Sequence, residues 1–75
     1  MPTFQTLFGN VDISTRPKRR RAVSLIVSEL SRIRSEEESY MERIPDNLKD
    51  GDAYAAADES VDLLSDAILS LSDAY

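Results

Sequence analysis

The segment "AYAAADESVDLLSDAILSLSDAY", residues 53–75, indicates the fold most clearly. Its apolar side chains recur at alternating spacings of three and four residues, which is the pattern of one buried stripe on an α-helix. This seam consists of Tyr54, Ala57, Val61, Leu64, Ile68, Leu71 and Tyr75. Asp52 stands directly before it and is a residue type that caps helix N-termini. We therefore expect a long amphipathic helix over residues 53–75.

A second helical pattern covers residues 16–43. Ser14 or Thr15 can cap its start, and Pro17 is tolerated in a first turn because its missing N–H is not needed there. One seam position is Glu37, which we expect either to reach the solvent edge or to fix the helix register. The apolar seam is Val23, Ile26, Leu30, Ile33, Tyr40 and Ile44, with Val27 and Met41 widening it on one side.

The connection "IPDNLKDGD", residues 44–52, is rich in turn formers, and its proline ends the first helix. Two long helices joined this closely fold back on each other, with residue numbers of facing positions adding to about 98. The predicted fold is all-α, a coiled-coil-like antiparallel two-helix hairpin with an N-terminal arm, residues 1–15. Such a hairpin buries little, so we expect a second copy in a four-helix bundle, the arm or a partner to complete it.

The arm has two interpretations. Phe4, Leu7, Phe8 and Val11 follow helical spacing with Gly9 as a stop, whereas Gly9 and Asn10 also suit a tight turn between strands. Its apolar residues need burial, so the arm either covers the hairpin or docks on a partner. The predicted apolar anchors are Phe4, Leu7, Phe8 and Leu69.

The net charge of −5 divides unevenly along the chain. Residues 16–34 hold seven cations and one acid, and Lys18 to Arg21 are expected to overhang the hairpin, where Asp73 and the chain-terminal carboxylate are too little negative charge to neutralise them. We call Arg16, Lys18, Arg19, Arg20 and Arg21 the basic end. It can contact an acidic protein surface, a symmetry mate, water or nucleic-acid phosphates, but no interleaved aromatic or amide side chain reads bases. Further along, Arg32 and Arg34 are expected to reach Asp62 and Asp66 across the hairpin.

The outward side of the second helix is acidic. We call Glu59, Asp62, Asp66 and Asp73 the acidic face. It is either a solvated surface or one that imitates nucleic-acid phosphate and occupies a basic cleft on another protein. The connection superficially resembles a calcium loop, but counting from Asp46 puts Leu48 and Ala57 at ligand positions, so we expect no metal site.

The composition argues against several classes of protein. With no cysteine and no histidine, the chain lacks disulfides, thiolate zinc sites and the commonest general base. No glycine-rich phosphate loop is present, so we expect no enzyme and no cofactor. No signal peptide or membrane span is recognisable, which predicts a soluble protein in the host cytoplasm.

The connection and second helix resemble a pattern in small acidic helical-hairpin proteins of phages and mobile elements. The resemblance covers residues 28–74 and is carried by Ile44, Pro45, Asn47, Leu48 and Tyr54. It implies a helical hairpin and a mobile-element origin, and it brings no site residues. We expect a non-enzymatic protein-interaction module, such as an inhibitor or adaptor that binds a host protein. The chain can also pair with a second copy as a homodimer. The alternatives are a non-specific nucleic-acid-associated protein and a small structural subunit of a larger assembly.

Overall fold

The computed structural model describes residues 3–6 and 9–75, with side chains described from residue 11 onward. Two long helices pack against each other, so the predicted all-α hairpin fits this mostly helical chain. A two-stranded arm precedes them, and a short 3-10 turn connects them. The elements are β1 Thr3–Thr6, β2 Gly9–Asp12, α1 Arg16–Arg43, the 3-10 turn Asp46–Leu48 and α2 Asp52–Ala74.

The ends of α1 follow from local sequence. Thr15 is the N-cap, in extended geometry, and its hydroxyl accepts a hydrogen bond from the backbone N–H of Lys18 at 3.3 Å. Pro17 lies in the first turn, as predicted. The helix stops at Arg43 because Ile44 is extended (φ −69°, ψ 129°), the conformation that the following Pro45 favours.

The start of α2 differs from the prediction by one residue. Gly51 is the N-cap and makes no side-chain capping bond, while Asp52 is already helical. The carboxylate of Asp52 therefore lies in the first turn, where the partial positive charge of the helix terminus favours it. A Cβ at position 51 would lie 3.2 Å from the carbonyl oxygen of Leu48, so glycine suits this close turn.

The seam of α2 is as predicted from Tyr54 to Leu71, with buried Ala57 and half-buried Leu64 and Ile68 among its members, whereas its last predicted member, Tyr75, is 39% exposed. The seam predicted for α1 is partly wrong, because the side chains of Ile33 and Tyr40 are 51% and 42% exposed. Each lies one residue, or about 100° of helix rotation, away from the contact line. The side chains that alternate by three and four residues toward α2 are Val23, Val27, Leu30, Arg34, Glu37, Met41 and Ile44, all at least half-buried.

The predicted antiparallel register is confirmed by one hydrogen bond between the helices, and residues that line two grooves agree with it. A guanidinium nitrogen of Arg34 donates to the hydroxyl of Ser65 at 3.3 Å midway along the helices. Near the start of α1, Val27 and Leu71 line one shallow groove. Near the connection, Met41 and Asp58 line another. The residue numbers of these pairs add to about 98 or 99, as expected for closely joined antiparallel helices.

The arm is a β-hairpin, so the helical interpretation is wrong. Phe4 pairs with Val11 and Thr6 with Gly9 in antiparallel register. Gly9 and Asn10 belong to β2 and do not form the turn that their sequence suggested. The predicted anchors Leu7 and Phe8, and the side chain of Phe4, lie outside the described residues. Strand β2 contacts α1, which supports the interpretation of the arm as a cover for one end of the hairpin.

The molecule is a thin plate with extents of 53 × 24 × 14 Å. Within residues 11–75, whose burial is described, only Ala22 and Ala57 are buried, and seven large apolar or aromatic side chains are exposed. A single pair of helices has no second layer to cover its broad faces, which explains this exposure. Among the described residues, neither helix has an apolar stretch long enough to cross a bilayer.

Candidate functional site

Two cations of the basic end fasten the arm to α1. The ammonium group of Lys18 pairs with the carboxylate of Asp12 at 2.6 Å. A guanidinium nitrogen of Arg19 donates to the carbonyl oxygen of Ile13 at 3.1 Å. The expectation that intramolecular charge pairing does not account for this cluster is therefore wrong for Lys18. The acid that it meets is the only one in the arm, six residues before Lys18, and the ambiguous fold of the arm concealed this pairing in the sequence.

Asp12 is the electrostatic centre of this attachment. The Lys18 ammonium and the backbone N–H of Ser14, at 2.9 Å, both donate to its carboxylate. These hydrogen bonds, with that from Lys18 as the largest cause, lower the pKa of Asp12 from 3.8 to about 2. The carboxylate is therefore charged throughout the physiological range, and it holds the end of β2 against the first turns of α1.

The other cations of the basic end have different surroundings. The guanidinium of Arg16 lies 4.9 Å from the centre of the Tyr75 ring, a cation–π contact that joins the start of α1 to the end of α2. Arg20 borders the groove that Val23 and Tyr75 also line. Arg20 and the exposed Arg21 have no ion pair with any described residue. Part of the basic end is thus structural, and Arg20 and Arg21 remain available to a partner.

The predicted cross-hairpin ion pairs do not form as expected. Arg32 pairs with Glu29 of its own helix at 2.9 Å, not with an acid of α2. Arg34 meets Ser65, whose hydroxyl also donates to the carbonyl oxygen of Val61 at 2.8 Å. The Nε atom of Arg34 lies 3.6 Å from Glu38, within ion-pair range but too far for a hydrogen bond, so this buried nitrogen has no hydrogen-bond partner.

The acidic face is open to solvent. Helix α2 contains six carboxylates and no lysine or arginine. Among residues 11–75, none of these six carboxylates forms an ion pair. The ion pairs of Lys49 and of three cations of α1 are with acids outside α2. No group of three or more acids in the described part of the chain is arranged to hold a metal ion. The helix therefore presents uncompensated negative charge along its length, at the exposed positions Asp52, Asp58, Glu59, Asp62, Asp66 and Asp73.

The one predicted apolar anchor whose side chain is described lies beside this acidic face. Leu69 is 65% exposed and follows Asp66 by three residues, so the two side chains are neighbours on the helix surface. Leu63 is similarly exposed at 61%, but the two leucines are six residues apart and project about 120° from each other. They consequently belong to different surfaces of α2.

Comparisons with known proteins identify no relative: no family model, curated protein or solved structure matches this chain.

Proposed function

We propose that this chain is a non-enzymatic protein-binding module whose acidic face docks on a basic surface of another protein. The observation that carries the proposal is that α2 has six carboxylates, no cation and no ion pair within the described side chains. Like charges three or four residues apart destabilise a helix by a few tenths of a kcal/mol per pair. A basic partner would remove this repulsion, and complementary charge would also accelerate encounter.

The arrangement of the carboxylates supports an extended contact. Asp52, Glu59, Asp66 and Asp73 are spaced by seven residues, or about 10 Å of helix rise. Seven residues correspond to nearly two full turns, so these groups share one side of α2. Leu69 lies within reach of this row and would supply an apolar contact at its edge. Such a line of charge suits a basic groove or helix that runs along α2.

The resemblance of residues 28–74 to small hairpin proteins of phages and mobile elements adds a biological setting. Within this proposal the chain acts in the host cytoplasm as an inhibitor or adaptor, with a host protein as the basic partner. Nucleic acid is the less favoured partner, because Lys18, Arg19 and Arg16 have intramolecular contacts. The two remaining arginines of the basic end offer few phosphate contacts.

The test is affinity capture from the host lysate with nuclease treatment, read by mass spectrometry. Three baits are compared at several salt concentrations: the wild type and two variants that each lose four negative charges. We expect a protein that binds the wild type in a salt-sensitive way, binds the control variant and does not bind the acidic-face variant. The acidic-face variant is Glu59→Gln, Asp62→Asn, Asp66→Asn and Asp73→Asn; the control is Glu36→Gln, Glu42→Gln, Asp46→Asn and Asp50→Asn, at exposed positions of α1 and the connection.

Two results would contradict the proposal. The first is identical protein capture by all three baits, since the acidic face would then contribute nothing to recognition. The second is binding of generic duplex or single-stranded nucleic acid that weakens steeply with salt and disappears on replacing Arg20 and Arg21 by Gln. That outcome would establish the nucleic-acid alternative instead.

A further inference from the structure

The hairpin lacks the second layer that a stable small domain needs. Its shortest extent, 14 Å, is little more than the ~10–12 Å diameter of one helix with side chains. Its accessible surface is 5537 Å², whereas a compact monomer of the same 8.4 kDa mass exposes about 4600 Å². The excess of about 900 Å² is close to the ~800 Å² that each partner buries in a standard protein–protein interface.

The two broad faces of the plate differ in polarity. On the first, which we call the polar face, Arg34 crosses to Ser65. The groove that continues on this side toward the connection is bordered by Glu38, Glu42 and Asp58. Apolar side chains also line this groove, but Arg34, Ser65 and these carboxylates would have to be desolvated if another helical layer packed on the polar face.

The opposite face, which we call the apolar face, has a second seam on α2. Each of its members stands one residue before a member of the contact seam, so the two rows are rotated by about 100°. The members of this second seam are Ala53, Ala56, Ser60, Leu63, Ala67, Ser70 and Ala74, all exposed and all uncharged. They again alternate by three and four residues, the spacing of a helix that contacts another helix along its whole length.

Helix α1 contributes large apolar side chains to the same face. Ile33 and Tyr40 also stand one residue before contact positions, Arg34 and Met41. In an antiparallel pair of helices, a step of one residue toward the N-terminus of each helix moves from the contact row to the same broad face of the pair. Glu29, Glu36 and Arg43 alternate with the apolar residues on α1, so the charged groups of this face belong to α1, while the α2 row is uncharged.

We propose that the apolar face is an interface between two copies of this chain, which together form a four-helix bundle. A second copy presents a face of the same width and length and supplies the missing layer. The excess area per chain corresponds to one partner's share of such an interface. Alanines and serines on α2 permit the 8–10 Å interaxial distance typical of packed helices. The arm contacts the first turns of α1, so the contact between copies centres on the other part of the face.

A dimer formed through the apolar face does not require the proposed partner of the acidic face. Asp62 and Asp73 project away from α1, on the outer side of α2, and stay accessible in the bundle. A dimer would carry two such faces. Measuring the association of the chain with itself tests the dimer alone, so a monomeric result would leave the proposed function unaffected.

The test uses sedimentation equilibrium and native mass spectrometry of the full chain from about 1 to about 200 µM. Leu63→Glu is compared with Leu69→Glu, which places the same charge on the same helix at similar exposure but outside the apolar face. We expect the wild type to be dimeric and its thermal midpoint to rise with concentration. Leu63→Glu should raise the dimer dissociation constant at least about tenfold, and Leu69→Glu less than about twofold.

Circular dichroism at matched concentrations separates loss of dimer from a general defect. An unfolded Leu63→Glu variant beside a folded, dimeric Leu69→Glu variant supports the interface, because both side chains are mainly solvent-exposed in the single hairpin. The proposal is overturned by a wild type that stays monomeric, or has a concentration-independent thermal midpoint, over the whole range. It is equally overturned by an assembly larger than a dimer or by two variants that behave alike.

Discussion

Arg34 is an unusual member of the seam between α1 and α2, and replacing it with Met should stabilise the hairpin. Its side chain is one-third exposed, and its Nε atom is buried without a hydrogen-bond partner. Methionine keeps a long unbranched stem and has nearly the same helix propensity as arginine. The substitution therefore removes the polar head while leaving most of the packing against α2 in place.

The expected magnitude follows from the contacts that are lost and gained. The 3.3 Å hydrogen bond to Ser65 is long and contributes about 0.5–1 kcal/mol, and the 3.6 Å ion pair with Glu38 about 0.3–0.5 kcal/mol. Removing a buried unsatisfied nitrogen regains about 1–3 kcal/mol. Arg34→Met should therefore raise the free energy of unfolding by about 1 kcal/mol, or the thermal midpoint by about 4–8 °C.

The assay is urea and thermal unfolding, followed by circular dichroism at one fixed chain concentration. Arg32→Met is the matched control, because Arg32 is 77% exposed and its ion pair with Glu29 should contribute little. Ser65→Ala should destabilise the hairpin by about 1 kcal/mol, since it removes the acceptor for Arg34. A loss of more than about 1 kcal/mol in Arg34→Met would contradict this prediction and show that the guanidinium is well solvated in the seam.

Two further predictions concern the arm and the centre of the hairpin. The pKa of Asp12 is lowered from 3.8 to about 2. The contact by which Asp12 attaches the arm to α1 is therefore fully present above pH 3.8 and is lost as the pH falls toward 2. Hydrogen exchange or the NMR shift of the Ser14 amide should follow that loss, and Asp12→Asn should abolish the pH dependence. Ala57→Gly should lower the free energy of unfolding by about 1.5–2 kcal/mol, because it loses both helix propensity and a buried methyl group. The control Ala55→Gly, at an exposed position, should lower it by about 1 kcal/mol. Equal losses in urea unfolding would contradict the central position of Ala57.

The sequence predicted most of the backbone arrangement because α2 has only one continuous large-apolar seam. That seam, with a proline-containing connection, determines where the helices end and how they face each other. The contact row of α1 was harder to predict, because α1 has two candidate rows one residue apart. The large apolar residues Ile33 and Tyr40 favour the row that the structure leaves exposed. The inward row contains Arg34 and Glu37, both half-buried, and charged residue types are not what an apolar spacing pattern predicts for such positions.

The candidate site was less accessible to sequence reasoning than the fold. Predicting the acidic face required only the residue spacing of a helix, so the carboxylates of α2 are exposed on the outward side, as the pattern predicts. The basic end depended on the arm, whose short strands contain no clear alternation of polar and apolar residues. Pairing of Lys18 with Asp12 and stacking of Arg16 on Tyr75 join elements that are distant or ambiguous in sequence.

The contrast in charge between the two helices also sets an expected order of folding. Helix α1 has a capping threonine and two internal ion pairs, Arg32 with Glu29 and Arg34 with Glu38, which support a helix before any tertiary contact forms. Helix α2 has no internal ion pair, and Asp62 repels the like charges of Asp58, Glu59 and Asp66 three or four residues away, so as an isolated peptide at neutral pH α2 should be largely unfolded. We expect α1 to be the template and α2 to become helical only as it docks, which makes the formation of the acidic face the last step in folding.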